Sequence, residues 1–405
     1  MLVRTVSLYK TSFSGLSKET WLLSFVMFIN RSGTMVVPFM TLYLTRPEMG
    51  YSLSEAGIVM GLFGLGAVIG AYFGGRFTDI IGFYKVQIIT LVSGGIMFIV
   101  LGQIKTYAFI CVFTFLLSLL NEAFRPANSS AIAFYSKAQN RTRSYSLNRL
   151  AVNLGWAFGT SVGGFIASIN YELLFWVDGI TNIFAALLML GFLKTKAPTR
   201  KDHDAEELRG NGGISAYKDK AYLWFIFYVT LFASCFFQLF TTIPKYFRDN
   251  LHLSERYIGL LMALNGLLIV ALEMVFVFKL EGRKNNLHFI TIGVIVAGLA
   301  FVSLLFPFSP AVVTLLMILL ITLGEILSMP FMSSYWSKRT TDFNRGQYAA
   351  LYSISWGLAQ TLGPVLCSFL VDHSSFPFLF SILALVCGIS AFGFYRLKKN
   401  EILLV

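Results

Sequence analysis

Apolar residues run along this chain in long unbroken stretches, without the alternation of a half-buried strand. A helix needs about 20 such residues to cross the hydrocarbon core of a bilayer. Twelve segments reach that length: 20–44, 54–75, 86–104, 107–135, 144–168, 172–193, 221–247, 254–279, 287–306, 310–337, 346–370 and 376–395. Most connections between them are short. The exception is 194–220, which begins KTKAPTRKDHDAEELRGNGG and lies at the midpoint. Its mixed charge, Pro and Gly predict a linker. The pattern therefore predicts an all-α membrane protein of twelve transmembrane helices. They fall into a six-helix bundle over 1–193, a linker over 194–220 and a second bundle over 221–405.

Composition excludes the competing classes. Hydrophobic residues make up 56% of the 405 and charged residues 13%, with 40 Phe. Mean hydropathy is +0.70. A soluble protein of this size needs far more charge to cover its surface. A transmembrane barrel would alternate apolar and polar positions instead of running apolar for twenty residues. The four cysteines (Cys111, Cys235, Cys367, Cys387) lie inside apolar runs, without a zinc spacing, and read as buried small hydrophobes. No metal site is expected. His203, His252, His288 and His373 sit in or beside loops. The first twenty residues are polar and basic, unlike a cleavable leader.

The formal charge of +12 would suggest a nucleic-acid partner in a soluble chain. Here the positions of Lys and Arg give another cause. With the N-terminus placed in the cytoplasm, twenty-four fall in cytoplasmic segments and five in outer loops. The remaining three, Arg31, Arg125 and Arg149, lie within spans, accounting for all 32. Basic residues accumulate on the cytoplasmic side of membrane proteins, so both termini are expected inside and no nucleic-acid partner is expected. Short loops fit a multi-pass protein of a bacterial inner membrane, working as a monomer.

The two halves echo one another. Leu147, Leu154 and Gly159 recur as Leu351, Leu358 and Gly363, an offset of 204 shared by Asn140-Arg141 with Asn344-Arg345 and by Pro126 with Pro330. Glu122 matches Glu325 at 203, and Leu53-Ser54-Glu55 matches Leu253-Ser254-Glu255 at 200. One period across corresponding spans argues for a duplicated six-helix unit. Secondary transporters use such repeats to build a central site with alternating access.

Twelve spans, a central linker and two related halves resemble the major facilitator superfamily over essentially the whole chain. After the second span the chain reads Gly75-Arg76-Phe77-Thr78-Asp79-Ile80-Ile81-Gly82-Phe83-Tyr84-Lys85. This is similar to the family's loop between spans 2 and 3, although Ile80, Phe83 and Tyr84 stand where basic residues are usual. The resemblance implies a gating role for Gly75, Asp79, Gly82 and Lys85. An Asp at a helix boundary can pair with a base or cap a neighbouring helix N-terminus, latching the cytoplasmic side. The fifth span carries Gly155, Gly159, Gly163 and Gly164, with Thr160 between. It resembles the GxxxGPxxGG motif of drug:proton antiporters, with Thr160 in place of Pro. Glycines so spaced let two helices touch backbone to backbone, and they join the gating set.

Charges inside the spans carry the candidate chemistry. Each costs on the order of 2.5–3.5 kcal/mol near the bilayer centre, so Arg31, Glu122, Arg125, Arg149, Glu273 and Glu325 must pair or line a wet cavity. Glu122 and Arg125, three apart, share one helix face. The first half holds three Arg and one Glu; the second holds two Glu and no mid-span base. A cavity between them would have a basic wall and an acidic wall, suited to a zwitterion or to an anion moving with a proton. Glu325 is the expected proton carrier, since no base lies near it in sequence, followed by Glu122 and Glu273. Arg31, Asn30, Arg125, Arg149, Asn153, Tyr43 and Trp356 are the expected substrate contacts. Asp178 reads as an interfacial or helix-end residue. Pro38, Pro126, Pro330 and Pro364 are expected to bend their helices.

No Walker loop, HExxH or dinucleotide fingerprint occurs, so no enzyme activity is expected and a proton gradient replaces any cofactor. The leading expectation is a proton-coupled transporter of a small organic solute, of the drug-efflux antiport type. The alternative is a proton-coupled symporter of peptides or other zwitterionic or anionic nutrients. It rests on loose similarity of Arg125-Pro126-Ala127-Asn128 and of Gly324-Glu325-Ile326-Leu327-Ser328-Met329-Pro330 to oligopeptide transporters. A non-transporting sensor or scaffold is the reading from another class; it predicts full charge pairing without a water-filled path.

Overall fold

The computed structural model describes residues 2–51, 53–193, 214–341 and 343–403. A short helix α1 (Leu2–Phe13) precedes α2 (Lys18–Ser32), α3 (Val36–Thr45), α4 (Leu53–Ile81), α5 (Phe83–Gln103), α6 (Tyr107–Tyr135), α7 (Arg141–Ile169) and α8 (Glu172–Phe192). The second half holds α9 (Lys220–Phe236), α10 (Thr242–Asp249), α11 (Glu255–Leu280), α12 (Asn286–Ser303), α13 (Pro310–Lys338), α14 (Arg345–His373) and α15 (Phe376–Leu403). Twelve candidate spans are found among the described residues. Most of the expected linker, 194–213, lies outside the described residues; 214–219 form a turn leading into α9.

Helices close off where the sequence supplies caps. The side chains of Ser17, Asp219, Ser254 and Asn285 each accept a backbone N–H at the start of α2, α9, α11 and α12. Gly82 and Gly282 take φ of 86° and 78°, which turn α4 into α5 and α11 into α12. The two glycines are one repeat apart.

The first span is not one continuous helix. It breaks between α2 and α3, and Asp178 explains how a break is tolerated inside a membrane. Its carboxylate accepts the Met35 N–H at 2.9 Å and the Val36 N–H at 2.8 Å. Those donors would otherwise be stranded at the start of α3. Asp178 is fully buried, so it is a structural cap and not an interfacial residue. Pro38 falls in the first turn of α3, where a missing N–H costs nothing. The seventh span breaks similarly, through a tight turn at Phe237–Phe240 between α9 and α10. Gln238 sits there and accepts from Thr242 Oγ1 at 2.6 Å.

In the first half α4 packs on α6, α5 on α8 and α2 on α7; in the second, α12 packs on α13 and α15, and α14 on α9. The halves meet where α14 lies along α4, and where α11 and α13 meet α7. Helix α1 lies on α11 of the opposite half. With an even number of crossings, both termini emerge on one face, called here the termini face.

Candidate functional site

Arg149 crosses from one half to the other. It sits eight residues into α7, about 12 Å from the start of that helix at 1.5 Å per residue. Its Nε donates to Glu273 of α11 at 2.7 Å, and its Nη1 donates to Glu325 of α13 at 2.9 Å. Only 3% and 5% of the two glutamate side chains is exposed, and 17% of Arg149. Asn265 Nδ2 holds the second oxygen of Glu325 at 3.2 Å and also reaches Thr322. The other oxygen of Glu273, Oε1, is buried and meets no donor in hydrogen-bonding geometry, although Ser146 stands beside it. One guanidinium thus serves two carboxylates. Glu325 is therefore not the lone acid its sequence neighbourhood suggested, and the wall expected to be acidic has a base from the opposite half inserted in it. Asn153, one turn from Arg149, keeps its amide nitrogen buried and without an acceptor.

A second cluster faces the first from α2 and α6. Arg125 donates to Glu122 at 3.0 Å, and Arg31 lies within electrostatic reach of both. Two bases share one acid here. Arg125 keeps 37% of its side chain exposed, against 15% for Glu122. From α14, Tyr352 lies within the fields of both Arg125 and Arg149. Tyr352 meets Trp356 edge to face, with ring centroids 6.2 Å apart, and Trp356 in turn meets Phe237, Phe236 and Phe232. The second half therefore carries a chain of rings that starts at Tyr352, within the field of Arg125, and runs through Trp356 to Phe237.

Asp79 joins the two halves at the termini face. Its carboxylate accepts the backbone N–H of Gly346 at 2.6 Å and of Gln347 at 3.0 Å, capping the N-terminus of α14 in the opposite half. Gly75 allows the approach: a Cβ there would strike Ala350 and the Gly346 carbonyl. Of the residues expected to gate, Gly82 makes the turn, while Lys85 is exposed on α5 and is not among the groups acting on Asp79.

The sequence reading missed the counterpart of this latch. Glu281, at the end of α11, accepts the Thr142 N–H at 2.6 Å and pairs with Arg143 at 3.1 Å, capping α7 in the opposite half. Asp79 and Glu281 are 202 residues apart; Thr142 and Gly346 are 204 apart. The repeat offset already recognised would have found it. Around the second latch Arg141 reaches the Ser337 carbonyl and Thr142 meets Ser334. These inter-half bonds all lie between the termini face and the depth of Arg149.

The other expected site residues lie elsewhere. Gly155 and Gly159 face α2, where a Cβ would come within 2.7 Å of Arg31 Cβ and of the Ser32 carbonyl respectively. Gly163 and Gly164 face Met35 and Phe39 of α3. All four pack inside the first half, not between halves. Tyr43 is buried against Phe175, with the Arg46 guanidinium over its ring, and takes no part in the central clusters. Asn30 bonds Asn182 at 2.8 Å within the same half.

The Major Facilitator Superfamily pattern matches residues 20–360. The chain belongs to the major facilitator superfamily. Its members are transporters and not enzymes, and this chain is a multi-pass membrane transporter of that superfamily. "Multidrug resistance protein 2" of Bacillus subtilis (strain 168) is 23% identical over 374 residues, covering 91% of this chain and 92% of its own length. A "Na(+), Li(+), K(+)/H(+) antiporter" of Planococcus maritimus is 24% identical, covering 84% and 86%. Among solved structures, the human organic anion transporter MFSD10 (TETRAN) superposes with a TM-score of 0.75 at 14% identity, covering 93% of this chain and 100% of its own. The Asp79 and Glu281 caps and the Arg149 bridge all join residues of the first half of the chain to residues of the second.

Proposed function

We propose that this protein is a proton-coupled antiporter of a small organic solute, with the Arg149–Glu273–Glu325 bridge as its coupling element. The observation that carries the reading is one base of the first half held between two acids of the second. A single guanidinium leaves that cluster with one net negative charge in a buried setting, where unneutralised charge is costly. A proton neutralises it. Glu273 Oε1, buried and without a donor in hydrogen-bonding geometry, is the oxygen that would take that proton. Protonation weakens the hold on Arg149 and so releases a bond that joins the halves.

With the termini face taken as cytoplasmic, as the Lys and Arg distribution predicts, both latches seal the inside and the central clusters open outward. A proton entering from outside would loosen the bridge and permit the latches to part. Release of the proton inside and uptake of solute would restore the sealed form. The proton shifts the equilibrium by its differential affinity for the two forms. The names of the relatives, multidrug resistance and cation/proton antiport, support the direction of exchange.

The test is proton movement in liposomes holding the purified protein and an interior pH dye. Ethidium, dipeptides and aromatic carboxylates are added in turn. Wild type should move protons opposite to solute. The Glu273→Gln/Glu325→Gln double variant should still exchange labelled solute for unlabelled but move no protons. Proton flux in the same direction as solute overturns antiport; undiminished proton flux in the double variant overturns the coupling site.

A further inference from the structure

The two central clusters differ in what they leave free. In the acidic one, both oxygens of Glu325 are bonded, and Glu273 is 3% exposed and bound to Arg149. In the basic one, Arg125 makes one hydrogen bond, through Nη1 to Glu122. Its Nε and Nη2, and the whole Arg31 guanidinium, bond no other described side chain or carbonyl. Arg125 also holds the larger exposed fraction, 37%, although it lies ten residues, about 15 Å, inside the end of α6. A guanidinium at that depth is stable only where water or a ligand reaches it. The accessible charge of the central site is therefore positive, two bases to one acid, and the free groups of those two bases are donors.

We infer that the solute is an aromatic carboxylate: its carboxylate docks on Arg125 and Arg31, and its ring lies on Tyr352 and Trp356. A guanidinium presents a planar fork of N–H donors that matches a carboxylate in two-point geometry. From Tyr352, within the field of Arg125, a chain of rings runs through Trp356 to Phe237 and offers faces and edges to an aromatic body. A lipophilic cation fits less well, because Glu273 and Glu325 are buried against Arg149 and Glu122 is paired with Arg125. This names the solute class for the transport reading above and rests on it.

Three isosteric probes test it by calorimetric binding to the purified full chain at pH 7.5: 1-naphthylacetate, neutral 1-naphthylacetamide and cationic 1-naphthylacetamidinium. The acetate should bind at least tenfold more tightly than either. Arg125→Gln should abolish the preference for acetate over acetamide, Arg125→Lys should restore part of it, and Trp356→Ala should weaken the acetate and the acetamide alike. Equal or tighter binding of the cation, binding of none of the three, or a preference that survives Arg125→Gln overturns the inference. The wild-type comparison decides even if a variant fails to fold. Proton flux in liposomes is read separately, so loss of this preference with coupling intact rejects the solute class and leaves the transport reading standing.

Discussion

Asp79→Ala offers the sharpest check on the latch. In the sealed form Asp79 accepts two backbone N–H groups, at 2.6 and 3.0 Å, from the first turn of α14. Hydrogen bonds to a charged group contribute about 1.5–3 kcal/mol each net of water. A negative charge at a helix N-terminus adds roughly 0.3–1 kcal/mol. None of this survives when α4 and α14 separate on the termini face, so the whole contribution bears on the equilibrium between forms. Taking the low end, about 3 kcal/mol at 1.4 kcal/mol per decade, the ratio of open to sealed should rise on the order of 100-fold. Asp79→Asn keeps an acceptor but loses the charge, and should move the ratio about tenfold.

The assay is a distance distribution between spin labels at Lys137→Cys and Lys284→Cys, exposed positions on opposite halves of the termini face. The background replaces Cys111, Cys235, Cys367 and Cys387 by Ala. Asp79→Ala should populate a longer distance, and Asp79→Asn should fall between it and the parent. Glu281→Gln should act in the same direction as Asp79→Asn, since it keeps an acceptor for the Thr142 N–H but loses the charge that pairs with Arg143. An Asp79→Ala distribution identical to the parent would refute the latch, as would a shift towards shorter distance.

Two glycine substitutions should separate gating from packing. Gly75→Ala drives a Cβ into Ala350 across the halves and should open the termini face with little change in melting temperature. Gly155→Ala places its Cβ 2.7 Å from Arg31 Cβ and 2.8 Å from the Phe28 carbonyl. Overpacking of that kind costs about 1–3 kcal/mol, so it should lower the melting temperature and leave the distance distribution unchanged. Asp219, before the seventh span, has a different signature. Burial pushes its carboxyl up, but bonds from Arg339, the Tyr222 N–H and the Tyr348 hydroxyl outweigh that and hold it below its ordinary value of 3.8. Its contribution is full above that value and is lost as the pH falls through the lower folded one. The melting-temperature gap between wild type and Asp219→Asn should thus be constant from pH 5 to 8 and narrow below 3.8; a gap that widens on acidification would reverse the sign. Deleting residues 2–13 removes the bond from the Tyr9 hydroxyl to the Ala271 carbonyl of α11 and a contact of Arg143 with the Ser12 carbonyl. Only the first of these joins the halves; at about 1 kcal/mol, the open form should gain roughly fivefold in the same spin-label assay; no gain would make α1 a bystander.

What the sequence could disclose follows from how each feature is encoded. The spans were legible because the bilayer imposes one length on every crossing. Asp79 was legible because its helix-boundary position and neighbouring glycines are local in sequence. The break between α2 and α3 was not, because averaged hydropathy does not register a lost turn; the one trace of it was an acid, Asp178, inside the apolar sixth span. The Gly155 to Gly164 run announced a close neighbour but not which one, and the neighbour is α2 and α3, not the opposite half. The central bridge joins residues 124 and 176 positions apart. An excess of bases in one half and acids in the other said only that the halves attract. Which base enters which pair depends on helix rotation, and a turn of one residue, about 100°, would aim Arg149 elsewhere. Glu281 stands between these cases. Nothing local marks it, yet a duplicated chain that caps α14 with an acid from α4 has an equivalent α7 to cap. The repeat offset then points to the end of α11. Internal symmetry thus carries information that neither hydropathy nor motif does, and it is what makes the second latch a consequence of the first.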